Sequence, residues 1–179
     1  MFNSFSKRKK DKQIEKSVQD FNTLWNSNIE DIWTITDKNQ FLVAMNGWIC
    51  RKCNYGEDMG KLSEAEKIFF LNNQLEQEIN NGGLSQFFFN SSGDFANEIE
   101  YSLRSIGAVH TEKIYSKALL ALGGELPENR DEREEMLDNI LTDNVSELLN
   151  ECDNEFYKYL DNLEELNYQF IIKNKEQFI

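Results

Sequence analysis

The sequence predicts an all-α protein built as a single multi-helix domain of about seven to nine helices with short connections. Three observations point there. One proline and nine glycines in 179 residues leave too little punctuation for the many turns of a sandwich or barrel. Apolar residues recur at three- and four-residue spacing along most of the chain. Apolar types make up 40% of it, 13 Phe among them, enough for one sizeable core.

Taken in order, residues 1–12 show no helical period and are expected as a basic disordered tail. The domain then runs 13–179, with N-terminal helices over 13–60 and the remainder over 63–179. Ile14, Val18, Phe21, Leu24 and Trp25 mark a first amphipathic helix, and Phe41, Leu42, Met45, Trp48 and Ile49 mark a second after "TDKNQ". "SEAE" places Ser63 three residues before Glu66, the capping-box spacing that starts a helix. That helix carries Ile68, Leu71, Leu75 and Ile79 on one stripe and should end at Gly82-Gly83. A short helix, "LSQFFFNSS", is expected next, with Ser85 as its cap. After the break at Gly93, Asp94 is expected to cap "FANEIEYSLRSIG", which Gly107 closes. "TEKIYSKALLAL" runs to Gly123-Gly124, and Pro127 blocks its continuation. From Met136 onward Leu137, Ile140, Leu148, Phe156 and Leu163 follow helical spacing and predict two or three more helices.

No apolar run follows the opening lysines, and nowhere do eighteen apolar residues stand together, so a cytoplasmic protein without membrane contact is expected. Cys50, Cys53 and Cys152 are an odd set for a disulfide framework. "CRKC" invites a zinc reading, but only Cys152 and the lone His110 could complete the four ligands, and no second close pair supports them. Free, buried thiols are the expectation, with no metal and no cofactor.

Charge is unevenly spread. The net −13 contains a basic start, where residues 1–16 hold six Lys/Arg and two Asp/Glu, and an acidic segment, where residues 125–165 hold fifteen acids and three bases. Such a surface repels nucleic acid and attracts basic partners, so direct nucleic-acid binding is not expected. Glu147, Glu151 and Glu155 repeat every four residues, as do Glu134 and Asp138. Like charges at that spacing oppose helix formation by about 0.2–0.5 kcal/mol per pair, so helix stability does not explain them. A solvated face kept for solubility is one explanation. Imitation of phosphates is the other. Drawn out as one helix, the segment would extend roughly 60 Å, about one net charge per 5 Å against about one per 1.7 Å in duplex DNA. Mimicry therefore needs the segment folded back on itself, or a dimer.

The stretch "EINNGGLSQFFFNSSGDF" departs from the helical pattern. Its glycines allow a tight reversal, and its Phe residues supply bulk on opposite sides of a short helix. Asn80, Asn81, Gln86, Asn90 and Ser91 are expected to bond exposed backbone groups, and Glu78 to accept backbone N–H groups of the turn. An enzyme reading would make Glu78, Asp94 or His110 a general acid or base, but no nucleophile–base spacing or phosphate loop accompanies them, and no catalytic residue is assigned.

From about Ser63 to the C-terminus, "SEAEKIFFLNNQLEQEINNGGLSQFFFNSSGDFANE", "LRSIGA" and "LEELNYQFIIKNKEQF" resemble a bacterial domain family of unknown function typified by an acidic DNA-mimic protein. Glu78, Asn81, Gly82, Gly83, Gln86, Phe88, Asn90, Ser91 and Gly93 match its central signature. The resemblance implies an all-helical domain, and, after the family's namesake, a homodimer whose carboxylates occupy the DNA-binding face of a transcription factor. From charge spacing, Glu134, Asp138, Glu147, Glu151 and Glu155 are the partner-binding candidates. The expected function is a non-enzymatic acidic protein that binds the basic surface of a DNA-binding protein. The alternatives are an immunity-type inhibitor of a basic nuclease toxin, or an enzyme centred on Glu78 and the "NGG" loop.

Overall fold

A computed structural model describes residues 2–179, with side chains from residue 12 onward. Nine α-helices and no strand form among the described residues, as the sparse turn residues and helical periodicity predict. Packing divides the chain into two compact units, residues 1–61 with Ile179, and residues 62–178.

The first unit contains α1 (Phe2–Trp25), α2 (Ile29–Ile32) and α3 (Lys38–Lys52). The basic opening read as a tail enters α1 from Phe2; Met1 and the side chains of residues 1–11 lie outside the described residues. Asn28 and Asp37 start α2 and α3 by accepting the Asp31 and Gln40 N–H groups at 2.8 and 2.9 Å. α3 buries Phe41, Ala44, Met45, Ile49 and Cys50 beneath Ile32 and α1. The Arg51 guanidinium donates to the carbonyls of Trp25 and, at 2.7 Å, of Ser27, closing the otherwise orphaned end of α1. Cys50, Cys53 and Cys152 are all buried free thiols, and burial pushes Cys50 up to about 12.

In the second unit α4 (Glu64–Phe89) is the central helix. Its start is the capping box the sequence predicts: Ser63 Oγ accepts the Glu66 N–H at 3.2 Å, and the Glu66 carboxylate accepts the Ser63 N–H at 2.8 Å. The predicted stripe of Ile68, Leu71, Leu75 and Ile79 is buried. So are Phe69, Phe70 and Asn72 on other faces, because α5 (Ile99–Ile106), α8 (Asp143–Phe156) and α9 (Leu163–Lys173) surround the helix. Asn72 is satisfied inside this core by Ser102, whose Oγ donates to Asn72 Oδ1 at 2.7 Å. α6 (Val109–Ala121) follows α5 after the left-handed Gly107, and α7 (Arg130–Ile140) follows the Pro127 break.

Two local expectations are corrected. A 3-10 segment, Ser91–Glu98, stands between α4 and α5, so α5 begins at Ile99 and Asp94 caps nothing; its carboxylate is held 2.6 Å from Arg133 instead. Ser85 does not cap the helix after the glycines, because the helix has already resumed at Leu84, whose N–H is accepted at 2.8 Å by Asp153 of α8.

Candidate functional site

The glycine pair interrupts α4 without ending its course. Gly83 takes φ +81°, the left-handed region disfavoured for residues with a Cβ, and a Cβ there would come within 2.3 Å of Asp153 Oδ2. The broken turn thus exposes a backbone N–H and leaves room for a carboxylate from α8 to reach it. Burial raises the pKa of Asp153 from its ordinary value, and the Leu84 N–H partly offsets this. Tyr157, just past α8, donates to the Ile79 carbonyl at 2.8 Å, a second tie between α8 and the turn before the break.

Glu78 lies one turn before the break, half-buried. It does not accept the backbone N–H groups that the sequence led us to expect; Oε2 accepts the side-chain amides of Gln86 at 2.6 Å and Asn90 at 2.9 Å. The carboxylate therefore ties the turn before the break to the last turn of α4 and to Asn90, the residue that follows it. Asn80 likewise bonds a side chain, donating to the Tyr159 hydroxyl at 2.6 Å. Asn81 and Ser91 are exposed, and the buried hydroxyl of the loop is that of Ser92, which donates to the Phe87 carbonyl at 3.0 Å. Phe87 and Phe88 are buried against Tyr115 of α6, with ring centroids 5.9 and 5.8 Å away, and the Tyr115 hydroxyl donates to the Ala96 carbonyl. Each buried Phe contributes about 1.5–3 kcal/mol of apolar transfer.

Beyond the clip sits Arg133 of α7, fully buried. Nε donates to the Phe88 carbonyl at 2.8 Å, one terminal nitrogen to the carbonyls of Pro127 and Glu128, and the other to Asn90 O and Asp94 Oδ1. Gly93 is required by this approach: a Cβ there would stand 2.5 Å from the Phe88 carbonyl oxygen and 2.8 Å from Arg133 Nε. The signature loop is thus the socket for a buried cation carried by an acidic helix.

The signature accordingly anchors both acidic helices, α7 through Arg133 and α8 through Asp153. The segment 125–165 is not one extended helix. It is broken at Leu141 and again after Phe156, and α7 and α8 both pack on α4. Because Arg133 is internal and turned to the loop, its guanidinium forms no ion pair with the described carboxylates of α7 and α8. Asp143, Glu147, Glu151 and Glu155 are all exposed along α8, one charge per turn, about 6 Å apart. Of the five candidates, Glu134, Glu151 and Glu155 have cation neighbours in Arg130, Lys117 and Lys158, all of them exposed pairs that are weak in water. Asp138 and Glu147 have no such neighbour among the described residues.

A cleft of about 400 Å³ on the same unit is lined by Glu76, Tyr159, Asn162, Leu163 and Glu164. Glu78, on which the enzyme alternative centred, does not line it. Burial raises the pKa of Glu76, a Tyr159 hydrogen bond opposes the shift, and Glu164 adds to it. Among the described residues no cluster of three or more His, Cys, Asp or Glu could hold a metal ion, and no helix is long and apolar enough to cross a membrane.

Arg133, Asp153 and Asp143 were missed from sequence. The first two carried a signal: Arg133 lies one turn before Leu137 and Asp153 one turn after Leu149, so each puts a charge on an otherwise apolar stripe. Comparison with known proteins bears on the same unit. The family model described as DMP19-like protein matches residues 60–174. No curated protein and no solved structure matches the chain significantly.

Proposed function

The chain belongs to the DMP19-like protein family, and on that premise we propose that it is a non-enzymatic DNA mimic, whose α7–α8 surface occupies the DNA-binding site of a basic regulator or nucleoid protein. The observation that carries the reading is the disposition of charge around the signature loop. The fifteen acids of residues 125–165 lie largely on helices pinned to α4, while Arg133, the one buried base of that segment, points inward. Carboxylates on a pinned scaffold can pair with Lys and Arg side chains that otherwise contact phosphates. Exposed pairing of this kind gives fast encounter and weakens as salt rises. One row of carboxylates about 6 Å apart is sparser than the 3.4 Å spacing of phosphates along a DNA strand, so both helices contribute to the mimicry.

The test is capture from a lysate of the source organism with the purified protein as bait, eluted by a salt gradient and compared with a variant carrying E134Q, D138N, E147Q, E151Q and E155Q. The expected result is one DNA-binding protein that elutes at moderate salt, is competed off by duplex DNA and is lost with the five-fold variant. Capture of the same protein by wild type and variant alike would remove these residues from the interface. Recovery of a nuclease, with protection of cells against that nuclease, would make the protein an immunity-type inhibitor instead.

A further inference from the structure

The cleft formed by Glu76 of α4, by Tyr159 and Asn162 of the connection between α8 and α9, and by Leu163 and Glu164 of α9 has chemistry that the proposed DNA-mimicking surface does not use. Its volume of about 400 Å³ lies within the range of small-ligand clefts, roughly 300–1,000 Å³. Two carboxylates line it, and among the described residues no Lys, Arg or His does. Burial raises the pKa of Glu76 and the Glu164 charge adds to the shift, so a cation seated between them would offset their repulsion.

Two further observations give that cation a shape. Tyr159 is held in place: its backbone takes φ +47°, in the left-handed region, its hydroxyl accepts the Asn80 amide at 2.6 Å, and its ring packs on Phe156 with centroids 5.3 Å apart. Because 42% of Tyr159 is nevertheless exposed, it offers the cleft a fixed aromatic wall. Asn167 of α9 is 1% exposed, and its Oδ1 is, among the described residues, a buried side-chain acceptor without a partner. It follows Glu164 by three residues and Leu163 by four. A helical side chain leans over the turn N-terminal to its own position, so this oxygen is turned to the inner end of the cleft. Buried acceptors are nearly always paired, and this one calls for a donor.

Two carboxylates, an aromatic wall and an unpaired carbonyl together suit a planar cation with several N–H groups. Guanidinium presents five donors in one plane, stacks on aromatic rings and is more weakly hydrated than an ammonium. A metal ion fits less well, since no cluster of three or more ligating side chains forms among the described residues. We propose that the cleft binds an alkylguanidinium, the side chain of arginine, with Glu76 and Glu164 as its counter-charges, the Tyr159 ring as the surface it stacks on and Asn167 Oδ1 as the innermost acceptor. None of the five acidic candidates of α7 and α8 lines the cleft, so this site and the DNA mimicry stand or fall separately.

The test is a titration of the isotope-labelled full chain with N-acetyl-arginine methylamide, followed by amide chemical shifts. Saturable shifts are expected at Glu76, Leu163 and Glu164 and at the side-chain amide of Asn167, and none with N-acetyl-norleucine methylamide. E76Q should weaken binding at least about 10-fold, the effect of losing one charge-assisted hydrogen bond, whereas E147Q, on α8, should leave it unchanged. Free arginine has the same net charge as the blocked probe. Tighter binding of the blocked form would make the ligand an arginine within a protein chain, and tighter binding of free arginine would make it a small molecule. Saturable shifts absent from the cleft or from the Asn167 amide, undiminished affinity of folded E76Q, or equal weakening by E147Q would each overturn the proposal.

Discussion

Helices α1 and α4 have nearly equal length, 24 and 26 residues, and opposite circumstances. α4 starts in a reciprocal capping box, buries apolar side chains on several faces, and is interrupted only where two glycines admit a carboxylate from another helix. α1 has no acidic residue in its first turn, none of its residues from 12 to 23 is buried, and Arg51 secures its C-terminal carbonyls. Both have apolar positions at helical spacing, so periodicity alone does not separate a helix buried in its own fold from one whose stripe is left exposed. The separation is made by the number of faces that carry apolar residues. α4 has them at 68–71, 75, 79, 84 and 87–88, all round the axis, whereas α1 has a single narrow seam.

The largest effect expected from this contrast is in backbone exchange. Amides of residues 68–79 should exchange only through global unfolding of their unit, and those of residues 14–23 through local fraying. Hydrogen exchange read by mass spectrometry should then differ by at least about 1,000-fold. Equal protection in the two helices would break the comparison.

Arg133→Met comes next, because it tests what holds the second half of α4. It leaves the carbonyls of Phe88, Asn90, Pro127 and Glu128 and the Asp94 carboxylate without their buried donor. Asp94 is 40% exposed and is left to water, so the cost comes from the buried carbonyls, about 1–3 kcal/mol for each left unsatisfied. Chemical denaturation of the variant measures it, and a loss under about 1 kcal/mol would mean that the loop holds its shape without the guanidinium.

Glu76→Gln gives the smallest effect and sharpens the account of the exposed edge of α4. Its raised pKa means that the folded state binds more protons than the unfolded chain between the ordinary and the raised value. Stability therefore falls as pH rises through that window, and the penalty is complete above it. Thermal unfolding should find Glu76→Gln at least as stable as wild type at neutral pH, with the gap closing as pH falls toward about 4.5. A variant less stable at neutral pH would show that the Tyr159 bond to the charged form outweighs burial.

Much of the fold was legible. Ser63 and Glu66 announce the start of α4 and Gly107 the end of α5, each through chemistry local to a few residues, whereas Gly82-Gly83, expected to end α4, only interrupts it. The partners of the signature were not. Glu78 was expected to take backbone N–H groups and Asp94 to cap a helix, because both assignments are what such residues do with near neighbours. The contacts that decide them come from Asn90, twelve residues along, and from Arg133, thirty-nine residues along. Ser85 lost its expected role because the helix resumes one residue before it, at Leu84, whose N–H goes to a carboxylate sixty-nine residues later.

Composition and periodicity by themselves determined an all-helical chain with a basic start, an acidic later segment and one irregular, glycine-bearing stretch, because helix formation, capping and net charge depend on residues within a turn or two of each other. Only the tertiary structure decided that this stretch is a socket, that the base it receives is drawn from the acidic segment, and that the first amphipathic seam stays open while others close. Those outcomes depend on which distant groups compete for the same buried donor, acceptor or apolar surface, and that competition is settled by packing.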